Sequence, residues 1–450
     1  MHDADTIAAI ATPVGAGGIG IIRVSGSQAL DIVKNFFKFK SEPVSHKAVF
    51  GKIKEQGSDE IIDSGLVLYL KNPHSYTGED TIELNCHGNP YILNRVLELC
   101  IKYGARLATA GEFTKRAFLN GKIDLTQAEA VYDLINSKTS VSLRNANSQM
   151  EGKLSGRIKK LRNELIRALS HIEAIIDFPD EIDDVPLVNF LPLVKDSYDL
   201  INQLIDTAEA GKLYREGVKL AIVGQPNVGK SSLLNALVRY ERAIVTDIPG
   251  TTRDTLEEYI NVRGIPIQVV DTAGLRETQD KVEKIGIERS FESINQAQLV
   301  LFVIDGSKNL TEEELELLNK LEDTKQYILI INKIDLSDNI NLPKNIKNIC
   351  FISAMYSRGI EKLEDKISEI LLAGKTDTSF DININNRHKE ILYRASESLE
   401  KALVTIEDGL PVDFLAIDLK SAIVSMGEII GENVTEEVIT EIFANFCVGK

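Results

Sequence analysis

Gly224-Gln-Pro-Asn-Val-Gly229-Lys230-Ser231 fits the pattern GxxxxGK[ST], and that pattern restricts the fold more than any other stretch of the chain. It works only where a strand ends in a Gly-rich turn and a helix begins. The apolar run Gly217–Val223 comes before it, and helical spacing over Ser231–Val238 follows. The glycines let backbone N–H groups wrap phosphates, and the helix N-terminus adds a positive dipole end. Lys230 supplies a point charge to the β- and γ-phosphates, and Ser231 a hydroxyl to Mg2+. Asn227, Val228, Gly229 and Ser232 are the other loop residues expected to line the nucleotide.

Further apolar runs of buried-strand length follow at Ile265–Val270, Leu299–Ile304, Tyr327–Ile331 and Asn348–Ile352. Helical patterns lie between them, as at Thr311–Leu321. Strands alternating with helices predict a parallel sheet covered on both faces, a Ras-like α/β unit over 217–375. Its strand ends carry the remaining nucleotide motifs, where open α/β sheets bind ligands. Asp271-Thr272-Ala273-Gly274 offers a carboxylate to the Mg2+ shell and an amide to the γ-phosphate. Asn332-Lys333-Ile334-Asp335 offers a carboxylate to guanine N1–H and its exocyclic amine. Adenine lacks that donor pair and would leave a buried carboxylate unpaired. Ser353-Ala354 places a backbone amide for guanine O6. The expected nucleotide is therefore GTP.

Leu275 follows the DTAG motif, where a Ras-like switch has Gln to orient the attacking water. Glu283, in the stretch beyond, is a candidate for that task, although a carboxylate so placed is more often an exposed one at a helix start. Asn227 faces the phosphates, and Thr246-Asp247-Ile248-Pro249-Gly250-Thr251-Thr252 follows. An Asn carbonyl with nearby loop carbonyls makes an oxygen cage suited to a monovalent cation, which would do the work of an arginine finger. Thr252 fits as the second protein ligand of Mg2+.

The flanks of this unit read as helix. Ile158, Leu161, Leu165, Leu169, Ile172 and Ile176 form one apolar stripe, and Leu193, Ile201, Leu204, Ile205 and Ala208 another. Beyond residue 375 come Ile391, Ala395, Leu399, Ala402 and Ile406, then Leu415, Leu419, Ile423, Met426 and Ile430. Each stripe needs a partner, so one bundle split in sequence is expected, its parts at 119–216 and 376–450. Residues 1–118 read as a separate α+β domain, with strands at Thr6–Ala11, Gly20–Val24, Leu66–Leu70 and Thr81–Cys86 and helices at Ser27–Phe36 and Tyr91–Tyr103. Its Gly15–Gly20 turn is a tight turn before a strand or a ligand loop.

Composition narrows the class. The chain has 450 residues, is 43% hydrophobic and carries a net charge of −16. These values exclude a disordered chain, and the charge argues against a general nucleic-acid coat. Cys86, Cys100, Cys350 and Cys447 are scattered without a CxxC pair, which reads as a reducing, cytoplasmic setting without structural zinc. The N-terminus is acidic and unlike a secretory signal, and the apolar runs are too short to span a membrane. Residues 144–167 hold seven Lys and Arg against two Glu. They form either a phosphate-attracting face or a solvated helix face.

With these residues in view, the chain resembles the MnmE (TrmE) family of tRNA-modification GTPases from end to end. The resemblance rests on the GTPase motifs, the N-terminal DTIAAIATPVGAGGIGIIRVSG, HSYTGEDTIELNCHG, GEFTKRAFLNGKIDLTQAEA, and Phe446-Cys447-Val448-Gly449-Lys450. Two departures are Val448, where the family usually has Ile, and Ala16, where a basic residue is common. The family implies an N-terminal folate-binding and dimerisation domain at 1–118, making a homodimer, a split helical domain, and an inserted G domain. It implies a partner flavoprotein, MnmG (GidA), and tRNA as substrate. Carboxymethylaminomethyl or aminomethyl groups are formed at C5 of the wobble uridine, from a one-carbon unit of a tetrahydrofolate derivative (5-formyl or 5,10-methylene), with GTP hydrolysis.

Matched position by position, the resemblance assigns folate to Arg23, Glu83, Lys122 and Lys450. It assigns K+ to Asn227, Thr246, Ile248 and Thr251, and supports Glu283 as the water-orienting residue. Without it, Arg23 and Lys122 read as solvated charges. Cys447 reads as a nucleophile or as a packed tail cysteine. Two other classes stay open: a ribosome-assembly GTPase of the Era or EngA kind, and a regulatory switch without turnover.

Overall fold

A computed structural model describes residues 5–178, 186–240, 259–270, 294–337, 340, 342–343, 346–372, 382 and 384–450. At the N-terminus, β1 (Ile7–Ile10), β2 (Gly17–Ser25), β3 (Phe37–Phe39), β4 (Ala48–Lys54), β5 (Ile61–Leu70), β6 (Thr81–Gly88) and β7 (Arg106–Leu107) form one sheet in the order 3-4-5-6-2-1-7. Neighbours run antiparallel except β1 and β7. Alternation sends Ile22, Val24, Ile53, Val67, Ile82 and Leu84 to one face, where α1 (Ala29–Lys34) and α2 (Pro90–Lys102) cover them. Gly17–Gly20 of the Gly-rich turn open β2, with a register irregularity between Gly17 and Gly20.

The second face of this sheet is only partly covered. Near β1, Phe113 of α3 (Glu112–Leu119) packs with Ile7, Ala9 and Ala108. Near β4 and β5, the register partners Phe50 and Leu66 stay 47% and 46% exposed.

Four helices follow: α4 (Leu125–Asn136), α5 (Ser140–Met150), α6 (Lys153–Asp177) and α7 (Leu191–Glu216). The sequence marks the starts of the first two. Asp124 with Gln127, and Thr139 with Ser142, form capping boxes that satisfy first-turn N–H groups.

The α/β unit contains β8 (Val218–Val223), α8 (Lys230–Tyr240), β9 (Tyr259–Val262), β10 (Ile265–Val270), β11 (Leu299–Asp305), α9 (Glu312–Thr324), β12 (Gln326–Asn332), β13 (Ile349–Phe351) and α10 (Ile360–Leu372). Its strands lie in the order 13-12-11-8-10-9. All pairings are parallel except the edge strand β9, antiparallel to β10. The purely parallel sheet expected from sequence is thus corrected at one edge. The cause is a two-residue hairpin turn: Arg263 and Gly264 have φ of 51° and 87°, the doubly left-handed turn that matches strand twist. This hairpin rests on the start of α5. Thr139 Oγ1 donates to the Gly264 carbonyl at 2.8 Å, and the Lys138 ammonium lies 3.3 Å from the Tyr259 ring centroid.

The chain then returns through α11 (Asn386–Glu407), α12 (Val412–Ile430) and α13 (Glu436–Ala444). Ile158, Leu165 and Ile172 of α6, Ile201 and Leu204 of α7, Leu392 and Leu399 of α11, and Leu419 and Met426 of α12 share one core. The bundle is therefore built from both flanks, with the α/β unit inserted between its halves. Arg387 ties the halves together. Its Nε and one terminal nitrogen donate to Glu129 of α4 at 2.8 and 2.9 Å, and its guanidinium also reaches the Glu428 and Ile429 carbonyls, each at 3.0 Å. Among the described residues no helix is long and apolar enough to cross a membrane.

Candidate functional site

The phosphate loop joins β8 to α8. Asn227 and Gly229 both have positive φ, 64° and 102°, so successive N–H groups turn inward to make an anion nest. A Cβ on Gly229 would come within 2.2 Å of Asn332 Nδ2, so glycine is required there. Lys230 Nζ donates to the Gly224 and Gln225 carbonyls at 2.6 and 2.9 Å. Burial holds its pKa below the usual lysine range. A phosphate would offset that burial by pairing with the charge. Ser231 and Ser232 open α8 at the same end.

The base-side loops meet this loop through Asn332. Its Nδ2 donates to the Val228 carbonyl at 2.8 Å, and its Oδ1 accepts from the Ala354 N–H at 3.0 Å. Asn332 is 2% exposed, so it acts as an internal brace between phosphate loop and base loops. Lys333 has φ of 65° and its ammonium donates to Asp305 at 2.7 Å. Asp305 ends β11 and is a contributor the motif search missed; the Asp-Gly pair at the end of an apolar run was its signal. Ser353 Oγ donates to Asp335 Oδ1 at 2.5 Å.

One sequence expectation changes here. Asp335 is exposed, not buried, because it lies in the turn beyond β12. Thr246, Asp247, Ile248, Pro249, Gly250, Thr251, Thr252, Asp271, Thr272, Ala273, Gly274 and Glu283 lie outside the described residues.

A second polar cluster sits on the half-covered face of the N-terminal sheet. Arg23 of β2 and Glu83 of β6 are register partners. Arg23 donates from Nε and a terminal nitrogen to Glu83 Oε1, at 3.0 and 2.8 Å, so Oε2 keeps its lone pairs. The third guanidinium nitrogen reaches the Gly449 carbonyl at 3.1 Å. Aromatic groups wall this spot: the Arg23 guanidinium lies 5.6 Å from the Phe113 ring centroid, and burial pushes the nearby Tyr76 phenol up.

The tail is pinned by an antiparallel bridge between Ala110 and Val448 and by the Gly111 N–H donating to the Cys447 carbonyl at 3.3 Å. Phe446 is buried against Phe443, yet Cys447 is exposed. The packed-cysteine reading is therefore corrected: the tail anchors through its neighbours. Lys122 donates to the Pro73 carbonyl at 2.9 Å. Lys450 follows the Gly449 contact directly.

The model of the TrmE N-terminus matches residues 6–122, and that of the MnmE helical domain matches 125–447, across the inserted unit. The tRNA modification GTPase MnmE of Clostridioides difficile is 47% identical over 460 residues, covering 99% of both chains. That of Alkaliphilus oremlandii is 46% identical over 462 residues, covering 100% of both. This chain belongs to the MnmE family.

MnmE relatives are named as tRNA modification GTPases, and the nucleotide loops described above agree with that enzyme class. A solved structure of Era from Aquifex aeolicus covers 40% of this chain and 66% of its own, at 20% identity and a TM-score of 0.25. Within the MnmE frame, sequence reasoning missed Phe113, Tyr76 and the Gly449 carbonyl around the Arg23–Glu83 pair. No local motif marks them, since they come together only through strand pairing and tail docking.

Proposed function

We propose that this protein hydrolyses GTP as part of modifying C5 of the wobble uridine in tRNA, working with a flavoprotein of the MnmG kind. One observation carries the reading: Arg23, Glu83 and the Gly449 segment form a second polar site on the chain that bears the guanine-nucleotide loops. Such a site suits a folate. The free Oε2 of Glu83 can accept from a pterin donor edge, Phe113 and Tyr76 offer apolar walls, and Lys450 and Lys122 can meet the acidic tail. When bound, a tetrahydrofolate supplies the one-carbon unit.

At the nucleotide site, Asn227 to Ser232 hold the phosphates, Ser231 and Thr252 hold Mg2+, and the Asp271-Thr272-Ala273-Gly274 motif supplies a carboxylate to the Mg2+ shell and an amide to the γ-phosphate. Asp335, Asn332, Lys333, Ser353 and Ala354 select guanine. Thr246–Thr252 contribute to GTP binding, and Glu283 orients water. Asn227 with the oxygens of Thr246, Ile248 and Thr251 holds K+; its left-handed backbone and exposure fit that role. The exposed Phe50 and Leu66 support dimerisation through the N-terminal sheet. The setting is cytoplasmic. A ribosome-assembly role is disfavoured because α11 and α12, which follow the G domain, complete the bundle core. Nucleoside analysis of tRNA from cells lacking the protein tests the reading: wobble uridines should lose the C5 group, and an unchanged nucleoside profile would overturn it.

A further inference from the structure

The Lys and Arg residues of α6 beyond Lys153 sort into two groups. Lys159 pairs with Asp124 at 3.0 Å, and Arg162 pairs with Glu432 at 2.6 Å; these stitch the helix to its neighbours. Arg157, Lys160 and Arg167 are exposed and form no ion pair among the described residues. At 3.6 residues per turn these three fall within an arc of about 80° and along about 15 Å of helix. Their row lies beside, not on, the face that buries Leu154, Ile158, Leu161, Leu165 and Ile172.

The surface next to the row has low relief. Gly156, Asn163 and Ser170 recur every seven residues on its outer side and are all exposed, and a Cβ on Gly156 would meet nothing within 4 Å. Glu164 is the one acid inside the arc, half-buried. Three unpaired cations in a row on a chain of net charge −16 concentrate its positive potential there. A shallow track edged by Arg and Lys suits a regular line of phosphates, which is contacted through backbone charge and shape.

We propose that this face of α6 docks the phosphate backbone of the tRNA substrate. The inference rests on the tRNA-modification reading above and names the surface that reading leaves unassigned. It is tested in the full chain with Arg157→Ala, Lys160→Ala and Arg167→Ala combined, by fluorescence anisotropy with an unmodified tRNA transcript across KCl concentrations. Three phosphate contacts contribute a slope of about 2–3 in log affinity against log salt, so between 50 and 200 mM KCl wild-type affinity should fall ~20–40-fold further than that of the variant. At low salt the variant should bind at least ~10-fold more weakly. Lys195→Ala with Lys401→Ala, elsewhere on the bundle, should change neither affinity nor slope.

GTP turnover of the triple variant should match wild type, which establishes that it is folded. Equal affinity and slope in triple variant and wild type would overturn the inference, as would a wild type that does not bind the transcript. A variant that keeps tRNA affinity but loses an acidic protein partner would also overturn it. None of these results bears on the nucleoside analysis, which judges the modification reading by itself.

Discussion

Asn332 offers the sharpest test of how the nucleotide site holds together. Changing Asn332→Ala removes both side-chain hydrogen bonds, to the Val228 carbonyl and from the Ala354 N–H, without touching a phosphate-loop glycine or Lys230. Two buried backbone groups are then orphaned. Each such loss costs about 1–3 kcal/mol, so about 2–6 kcal/mol is at stake if nothing adjusts. Both groups belong to loops, and water can enter the space vacated by the amide, so the lower part of that range, about 2–3 kcal/mol, is expected. At 1.4 kcal/mol per tenfold this weakens GDP binding by about 30–140-fold. Equilibrium titration with a fluorescent GDP measures the loss, and circular dichroism checks that the sheet persists. GDP affinity within threefold of wild type, with an unchanged melting curve, would refute the brace.

Three other perturbations probe separate parts. Asp335→Asn swaps a double acceptor for one acceptor and one donor; GTP should bind at least ~10-fold more weakly and xanthosine triphosphate more tightly, by competitive titration. Turnover should be fast in K+ and slow in Na+ at equal ionic strength, and Asn227→Ala should lose the difference; equal rates in the two salts would show the cage was misread. Glu129→Gln should destabilise the bundle at pH 7 by about 3–5 kcal/mol, because Arg387 loses its carboxylate. Burial pushes the Glu129 carboxyl up, but Arg387 and His388 outweigh it and hold it well below the usual range. A depressed folded pKa contributes stability above the unfolded value of about 4.3, lost as pH falls below it. The gap between wild type and Glu129→Gln in urea melts should therefore close in acid; a constant gap would reject the ionic account.

How much could be read from the chain depended on how local each determinant is. The strands β10, β11 and β12 are near-continuous apolar runs, so burial on both faces was written into consecutive residues. The edge strand β9 has four residues with an alternating pattern, and only the Arg263-Gly264 turn announces it. Strands β3 and β4 were missed for a similar reason, one being three residues long and the other half-exposed. The split bundle was legible because each helix shows its stripe on its own. At the nucleotide site the loops are contiguous motifs, yet the bracing role of Asn332 depends on contacts 104 and 22 residues away. The Arg23–Glu83 pair spans 60 residues and follows from register alone.

The tie between Arg23 and the Gly449 carbonyl joins positions 426 residues apart. On the ribosome, at ~5–20 residues per second, about 20–85 s separate the synthesis of these two groups. The N-terminal sheet can pair during that interval, but its second polar site lacks one wall throughout. A fragment released early would carry a complete phosphate loop and an incomplete Arg23 pocket, so GTP turnover and any chemistry at that pocket would part company. The contact between Arg23 and the Gly449 carbonyl can thus form only once the chain has been translated through residue 449.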